Sequence, residues 1–405
     1  MNTYSSYKDS GVDWIGNIPS DWEVVRNKYL FDVTKNVVGE ESDKYQLLSL
    51  TKRGVVLRDI ESGKGKFPES FDTYQTVDKG DLIFCLYDID ETPRTIGISN
   101  YSGMITGSYK VVKCNTLTDP KFIYYNYLSI DDVKGLRPYY TGLRKVVRTE
   151  TFLNLNVRVP SLQEQQQISD YLDYKTLKID KLIEKTEQKI ELLKEQRTSL
   201  INTTVTKGLD PNVEMKDSGV EWIGDVPVGW DIKPMYTRYS QNKTKNDNST
   251  STILSLSYGR LIKRNMETNF GLLPDNFDSY QLLETGFIIL RMTDLQNDHK
   301  SLRVGICEFQ GIITSAYIGL KPLTNVCSKY FFYYLYMCDL KKVFYGLGGG
   351  LRQSVSYNDF KRFPLSIPPL QEQQQIVDYI NKKTSKIDKL VDIESKRIIL
   401  LKEYR

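Results

Sequence analysis

Five basic side chains, Lys134, Arg137, Arg144, Lys145 and Arg148, fall in a stretch that holds no acid and includes Tyr139-Tyr140. Arginine, lysine, tyrosine and main-chain N–H groups all donate to phosphate oxygens, so such a stretch suits a sugar-phosphate backbone. A solvated loop is the plain alternative. A second acid-free stretch, from Lys341 to Asn358, carries Lys341, Lys342 and Arg352 with Gln353 next to it. Both stretches surround one tripeptide, Gly142-Leu143-Arg144 and Gly350-Leu351-Arg352. Lys52-Arg53, followed by Arg58, has a counterpart in Arg260, Lys263 and Arg264, and each group follows a Leu-Ser-Leu. A third cluster, Tyr87, Asp88, Asp90 and Arg94, faces Thr293, Asp294, Gln296, Asn297, Lys300 and Arg303 in the second half. Its residue types differ between halves and are those that read base edges: Arg for guanine, Asn or Gln for adenine, a carboxylate for cytosine.

Catalytic patterns are missing from the sequence. It has no GxxxxGK[ST], GxGxxG, GxSxG or HExxH, and His299 is its one histidine. An enzyme would have to be built on carboxylates, lysines or a bound cofactor. The five cysteines (Cys85, Cys114, Cys307, Cys327, Cys338) form no CxxC pair, which suits a reducing compartment and disfavours zinc. Gly346 to Gly350 lacks the preceding strand a phosphate cradle needs and reads as a loop that lets backbone approach closely. The start MNTYSSYKDS is not a secretory signal, and no apolar run spans a bilayer, so a cytoplasmic protein without membrane contact is expected. Lys and Arg number 55 against 51 Asp and Glu, so any nucleic-acid contact must be local rather than a property of the whole surface.

These clusters are positioned by a duplication. KDSGVDWIGNIP at 8–19 recurs as KDSGVEWIGDVP at 216–227, with nine of twelve positions identical. LQEQQQISDYLDYKTLKIDKL at 162–182 recurs as LQEQQQIVDYINKKTSKIDKL at 370–390, with sixteen of twenty-one identical. Both matches share an offset of 208 residues, so the 405-residue chain is two copies of one unit, with Arg405 the counterpart of Arg197. The partner of Leu200 and Ile201 is thereby left open. Between the matches landmarks persist, SFDTYQ against NFDSYQ and GMITGSY against GIITSAY, while the residues around them differ. One frame carrying two surfaces suits a protein that reads two different things in one geometry.

The segments 162–205 and 370–405 read as long helices, free of Gly and Pro inside and preceded by Pro. Ile168, Ile179 and Ile190 recur every eleven residues, with Leu172, Leu182 and Leu193 filling the stripe. Ile376, Ile387 and Ile398, with Leu390 and Leu401, repeat it. Each stripe wants one partner, and the simplest is the other copy. The regions between the helices look mixed α and β: Asp81–Tyr87 and Phe287–Met292 read as strands, Phe122–Leu128 and Tyr330–Cys338 as buried helix. The expected fold is α+β: two mixed domains in a pseudo-two-fold repeat, separated by two antiparallel helices that form a coiled-coil spacer. The expected boundaries are 1–160, 161–206 (first spacer), 207–368 (linker and second domain) and 369–405 (second spacer).

The WIG-x-[IV]-P openings, the P-x-x-x-EQ helix starts at Pro160–Gln165 and Pro368–Gln373, the DKL stretch and the duplicated layout resemble the specificity subunit of type I restriction-modification systems, over essentially the whole chain. The resemblance implies two target recognition domains, each reading one half of an asymmetric bipartite site in double-stranded DNA, with helices that fix the gap at about one DNA turn (~34 Å) or more. It implies no catalytic site, metal or cofactor in this chain. S-adenosylmethionine would belong to two modification subunits that methylate adenine, ATP and Mg to restriction and translocation subunits. Candidate DNA contacts are Lys52, Arg53, Tyr87, Arg94, Tyr139, Arg144 and Lys145 in the first copy, and Arg260, Lys263, Arg264, Asn297, Lys300, Arg303, Arg352 and Gln353 in the second. Tyr171, Leu192, Tyr379 and Leu400 are candidate docking positions for the modification subunits. Two readings from other classes stay open: a self-contained nuclease or methyltransferase, and a coiled-coil scaffold bearing two protein-binding domains.

Overall fold

The computed structural model describes residues 4–12, 15–33, 35–59, 68–247, 249–264, 276–295, 302–347 and 354–405. The chain divides into two compact units, Met1–Asp180 and Lys181–Arg405. The described residues include six α-helices: α1 (Pro120–Asp132), α2 (Thr149–Asn154), α3 (Leu162–Lys207), α4 (Ser328–Leu340), α5 (Tyr357–Phe360) and α6 (Leu370–Tyr404).

In the first unit an antiparallel sheet runs in the order Phe31–Val33, Lys110–Cys114, Leu82–Phe84, Ile96–Ile98. Its central strand is buried on both faces, Leu82, Ile83 and Phe84 all being essentially inaccessible. An unbroken apolar triplet is therefore the right sequence for it, whereas an alternating one would not be. One face packs on α1 and α2, where Phe31, Phe84, Tyr127 and Phe152 form an aromatic cluster. Asp119 caps α1 by accepting from the Phe122 amide at 2.7 Å, and Pro120 follows at the first helical position, where its missing N–H costs nothing.

The second unit repeats this sheet with Tyr239–Gln241, Ile318–Pro322, Ile288–Leu290 and Val304–Ile306 in the same order. The shared sequence landmarks are its fasteners. Gln75 Nε2 donates to the carbonyls of Thr106 (3.1 Å) and Tyr109 (2.7 Å), tying SFDTYQ to GMITGSY. Gln281 does the same with Thr314 (3.1 Å) and Tyr317 (2.8 Å). A Cβ at Gly103 would lie 2.3 Å from the Gln46 carbonyl oxygen, so only glycine admits that approach; at its counterpart Gly311 a Cβ would lie 2.7 Å from the Leu254 side chain and 2.9 Å from the Thr252 carbonyl oxygen.

The P-x-x-x-EQ helix starts are seats. Trp22 donates its indole N–H to Glu164 at 3.3 Å, and Gln165 accepts from the Asp119 amide (2.8 Å) while donating to the Pro160 carbonyl (3.0 Å). In the second unit Trp230 donates to Glu372 (3.0 Å), and Gln373 accepts from the Cys327 amide (3.1 Å) while donating to the Pro368 carbonyl (2.8 Å). Each glutamine satisfies one donor and one acceptor that the junction would otherwise bury unpaired.

Within the second unit the end of α3 and α6 run antiparallel, since Arg197 pairs with Asp388 (2.9 Å), Lys189 with Glu394 and Glu187 with Lys402 (3.7 Å). Several stripe residues differ from their expected place. Ile376 is fully buried in the core of the second unit with Val377 and Ile380, and Ile168 packs against the core of the first. Leu390 is 43% exposed. At 3.6 residues per turn it lags Ile387 by about 60°, whereas Val391 leads it by only about 40° and takes the seam position. Ile190, Ile387 and the polar Thr186, Thr384 and Glu394 are buried; Leu172, Ile179, Leu182, Leu193, Ile398 and Leu401 are half-buried. Leu200 and Ile201, whose partner the sequence left open, belong to the second unit: Ile201 and Val205 are wholly buried in its core and Leu200 packs against it.

The hydrogen bond from Lys189 holds the Glu394 carboxyl below the usual carboxylate range, against the opposing effect of partial burial. A carboxylate whose folded pKa is depressed stabilises above its unfolded value of about 4.3 and loses that contribution as pH falls through the folded value. Urea midpoints should therefore be higher for the parent chain than for Glu394→Gln at pH 7, with the gap closing as pH falls below the usual carboxylate range. An unchanged gap at acid pH would remove the ion pair from the account.

Candidate nucleic-acid interface

In the first unit the loop that leaves strand Leu82–Phe84 is bound along its backbone to the basic stretch. The Val147 amide donates to the Leu86 carbonyl (2.8 Å) and the Asp88 amide to the Arg144 carbonyl (2.9 Å). Asp88 adopts φ +48°, a left-handed conformation that aspartate tolerates, and its carbonyl accepts from the Glu91 and Thr92 amides. Val147, Leu86 and Ile89 are buried beneath, so the two loops sit on the core rather than hanging from it.

Above them an ionic network gathers. Arg137 Nε donates to Asp90 Oδ1 at 2.7 Å, Lys145 Nζ lies 3.1 Å from Asp90 Oδ2 and 3.4 Å from Glu91, and Arg144 lies 3.4 Å from Asp88. Arg137 above all, then Lys145, holds the Asp90 carboxyl below its ordinary range, and Asp90 raises Lys145 in return. The Arg144 guanidinium lies over the Tyr87 ring (5.6 Å), which stacks on Tyr109 (5.9 Å); burial pushes the Tyr87 phenol well above its usual value. Thus Tyr87, Arg144 and Lys145 are brought together. Tyr139 is half-buried against the core, and Arg94, also half-buried, donates to the Tyr124 hydroxyl at 2.9 Å. Lys52 and Arg53 form a separate exposed two-residue turn between Leu48–Thr51 and Gly54–Leu57. Arg137 and the carboxylates of Asp88 and Asp90 stand outside the candidate contacts chosen from the sequence. The signal was available in Arg137 itself, one of the five cations of the acid-free stretch.

In the second unit Arg260 and Lys263 lie exposed on strand Arg260–Lys263, Lys263 over the Phe309 ring at 5.1 Å, while Arg264 is half-buried at the strand's end. Tyr258, overlooked in the sequence, tips the turn that leads into this strand and is 88% exposed; it and Gly259 both have positive φ, the geometry of a tight hairpin turn. Asn297, Lys300, Arg352 and Gln353 lie outside the described residues.

Arg303 overturns an expectation. Its side chain is inaccessible, and it donates to the carbonyls of Arg291 (3.0 Å), Thr293 (2.8 Å) and Asp294 (3.1 Å) and to the Tyr345 hydroxyl (3.1 Å). A guanidinium spent on three carbonyls cannot also reach a base. Its place in the repeat is that of Thr95 rather than Arg94: the Thr95 amide donates to Asp131 (2.8 Å), and the Arg303 amide to Asp339 (2.6 Å). The same strand-to-helix tie thus carries, in the second unit only, an internal clamp for the loop 291–294.

No group of His, Cys, Asp and Glu among the described residues could hold a metal ion, and all five cysteines are free. No described helix is long and apolar enough to cross a membrane. An open groove of about 870 Å³ in the second unit is lined by Arg197, Tyr258, Arg260, Tyr333 and Asp388, with Asp388 paired to Arg197.

Two units of one fold, each seated on a long helix through the same tryptophan, glutamate and glutamine and bearing unlike loops, define a duplicated recognition protein. The chain matches the family model described as the type I restriction modification DNA specificity domain over residues 19–192 and 303–403, and it belongs to that family as a specificity subunit. It is 22% identical over 410 residues to a putative type I restriction enzyme MjaX specificity subunit from Methanocaldococcus jannaschii, covering 94% of this chain and 90% of that one. The MjaVIII specificity subunit of the same organism is 23% identical over 405 residues, at 94% and 89%. Among solved structures, a chain from a study of complex assembly and conformational transition of the type I R-M system matches with TM-score 0.62 at 14% identity, covering 96% of both chains. The HsdS subunit from Thermoanaerobacter tengcongensis matches with TM-score 0.53 at 14% identity, over 96% and 95%. These structures share the fold.

Proposed function

We propose that this chain is the non-catalytic DNA-reading subunit of a type I complex in the cytoplasm. Residues 1–160 and 207–368 are its recognition domains, each reading one half of an asymmetric bipartite site. Residues 161–206 and 369–405 pair as a coiled-coil spacer that sets the gap. Two modification subunits methylate an adenine in each half with S-adenosylmethionine, and restriction subunits use ATP and Mg. The observation that carries the reading is the contrast between identical fasteners and unlike loops. Gln75 and Gln281, or Gln165 and Gln373, make the same bonds, while the loop after the central strand is held from outside by Arg137, Arg144 and Lys145 in one unit and from inside by Arg303 in the other. A frame repeated with different readers addresses two different sequences. Tyr171, Leu192, Tyr379 and Leu400 are all exposed on the helices, as a docking surface for modification subunits requires.

Methylome sequencing of a host that expresses the chain with its modification subunit is the test. A single bipartite motif methylated on adenine is expected, and none in a host given the modification subunit alone. Absence of such a motif overturns the reading. Turnover by the isolated chain would favour a self-contained enzyme. DNA binding that shows no sequence preference and no fall with salt would favour a protein scaffold, since every phosphate a protein neutralises makes its affinity fall more steeply as salt rises.

A further inference from the structure

We propose that Leu143 is an apolar wedge that enters the base stack at the first half-site and opens one step there; this rests on the DNA-reading role proposed above. Thr141 and Val146 exchange backbone hydrogen bonds (2.9 and 3.1 Å), closing a hairpin whose loop is Gly142-Leu143-Arg144-Lys145. Gly142 (φ +75°) and Lys145 (φ +46°) take the left-handed conformations that a tight loop of this length needs. The hairpin is fixed at its base, where the Val147 amide donates to the Leu86 carbonyl, and within its loop, where the Arg144 carbonyl accepts from the Asp88 amide. At the tip Leu143 is 102% exposed; its sequence neighbours Arg144 and Lys145 pair with Asp88 and with Asp90 and Glu91.

A solitary exposed leucine is ordinary on a protein surface. Two features set this one apart. It stands on a braced stem, beside cations that pair with Asp88, Asp90 and Glu91, where an apolar side chain gains nothing from folding. It also recurs: Gly-Leu-Arg is kept at 350–352 although the residues around it have diverged. Residues identical in both domains cannot tell two unlike half-sites apart, so the shared pair must do what both halves need regardless of sequence. Arg144 positions the phosphate backbone. Leu143 does what leucine does in other duplex-deforming proteins, which is to replace a stacking contact and kink or open the step. An adenine that must leave the stack to be methylated leaves more readily beside a step already opened.

The test uses duplexes enriched from a random pool by the chain with its modification subunit, carrying 2-aminopurine at successive positions. With the parent chain, 2-aminopurine at one step in or beside the first half-site should brighten several-fold. Leu143→Ser should abolish that brightening and weaken binding about ten-fold, leaving base preference unchanged, and Leu143→Met should restore it. The side chain makes no packing contribution that its replacement could remove, and circular dichroism of the three proteins checks that each is folded. If Leu143→Ser brightens like the parent, or if the parent selects a bipartite sequence yet brightens nowhere near its first half, the wedge is wrong while the reading of DNA stands. If no sequence is enriched, both fall.

Discussion

Exchanging residues 20–160 for the matching segment of another specificity subunit should change one half of the methylated motif and leave the other half and the gap untouched. The first unit has its own four-stranded sheet and its own core, from Leu30 and Phe31 through Phe152 to Val159. What the graft must preserve is the seat: a tryptophan to meet Glu164, a helix-capping residue whose amide meets Gln165, and partners such as Lys121 and Tyr125, which bond Asp173 on α3. Because specific binding exceeds non-specific binding by roughly a thousand-fold or more, the old half-site should disappear from the methylome rather than fade. A change in both halves, or in the gap, would show that recognition is shared between the repeats.

Arg303→Met should unfold the second unit at lower urea by about 3–5 kcal/mol, because the carbonyls of Arg291, Thr293 and Asp294 lose their donor in a water-free place. Arg303→Lys should recover little, since a lysine ammonium cannot span three carbonyls in the fork geometry of a guanidinium. Thr95→Val, at the equivalent position of the first unit, should cost far less: the bond that matters there comes from its backbone amide to Asp131. In the methylome the Arg303 variants should blur one half-site only. Normal urea stability for Arg303→Met would mean that the loop 291–294 finds other donors.

The duplication, the long helices and the aromatic helices α1 and α4 were all legible in the sequence because each is a local pattern: identity at a fixed offset, a helical stripe, an apolar run. The glutamines and glutamates that seat the helices were visible as a motif, but their purpose was not. It depends on Trp22 and Asp119, far away in the chain. Arg303 misleads for the same reason. A cation at a strand end looks like surface, and only the fold shows three carbonyls converging where its side chain lies. Leu390 left its expected place in the seam while Glu394 is buried, because periodicity fixes an angle around the helix axis and says nothing of the ion pair that makes a buried carboxylate tolerable.

The seats at Glu164-Gln165 and Glu372-Gln373 present the same chemical groups to whatever domain precedes them. A recognition domain moved from one position to the other would find its tryptophan and its helix cap received as before. The stretches that encode those seats are also where the two copies are most alike, so a crossover between them keeps both reading frame and socket. On the proposed reading, such a crossover would give the chain a new address in a single genetic event.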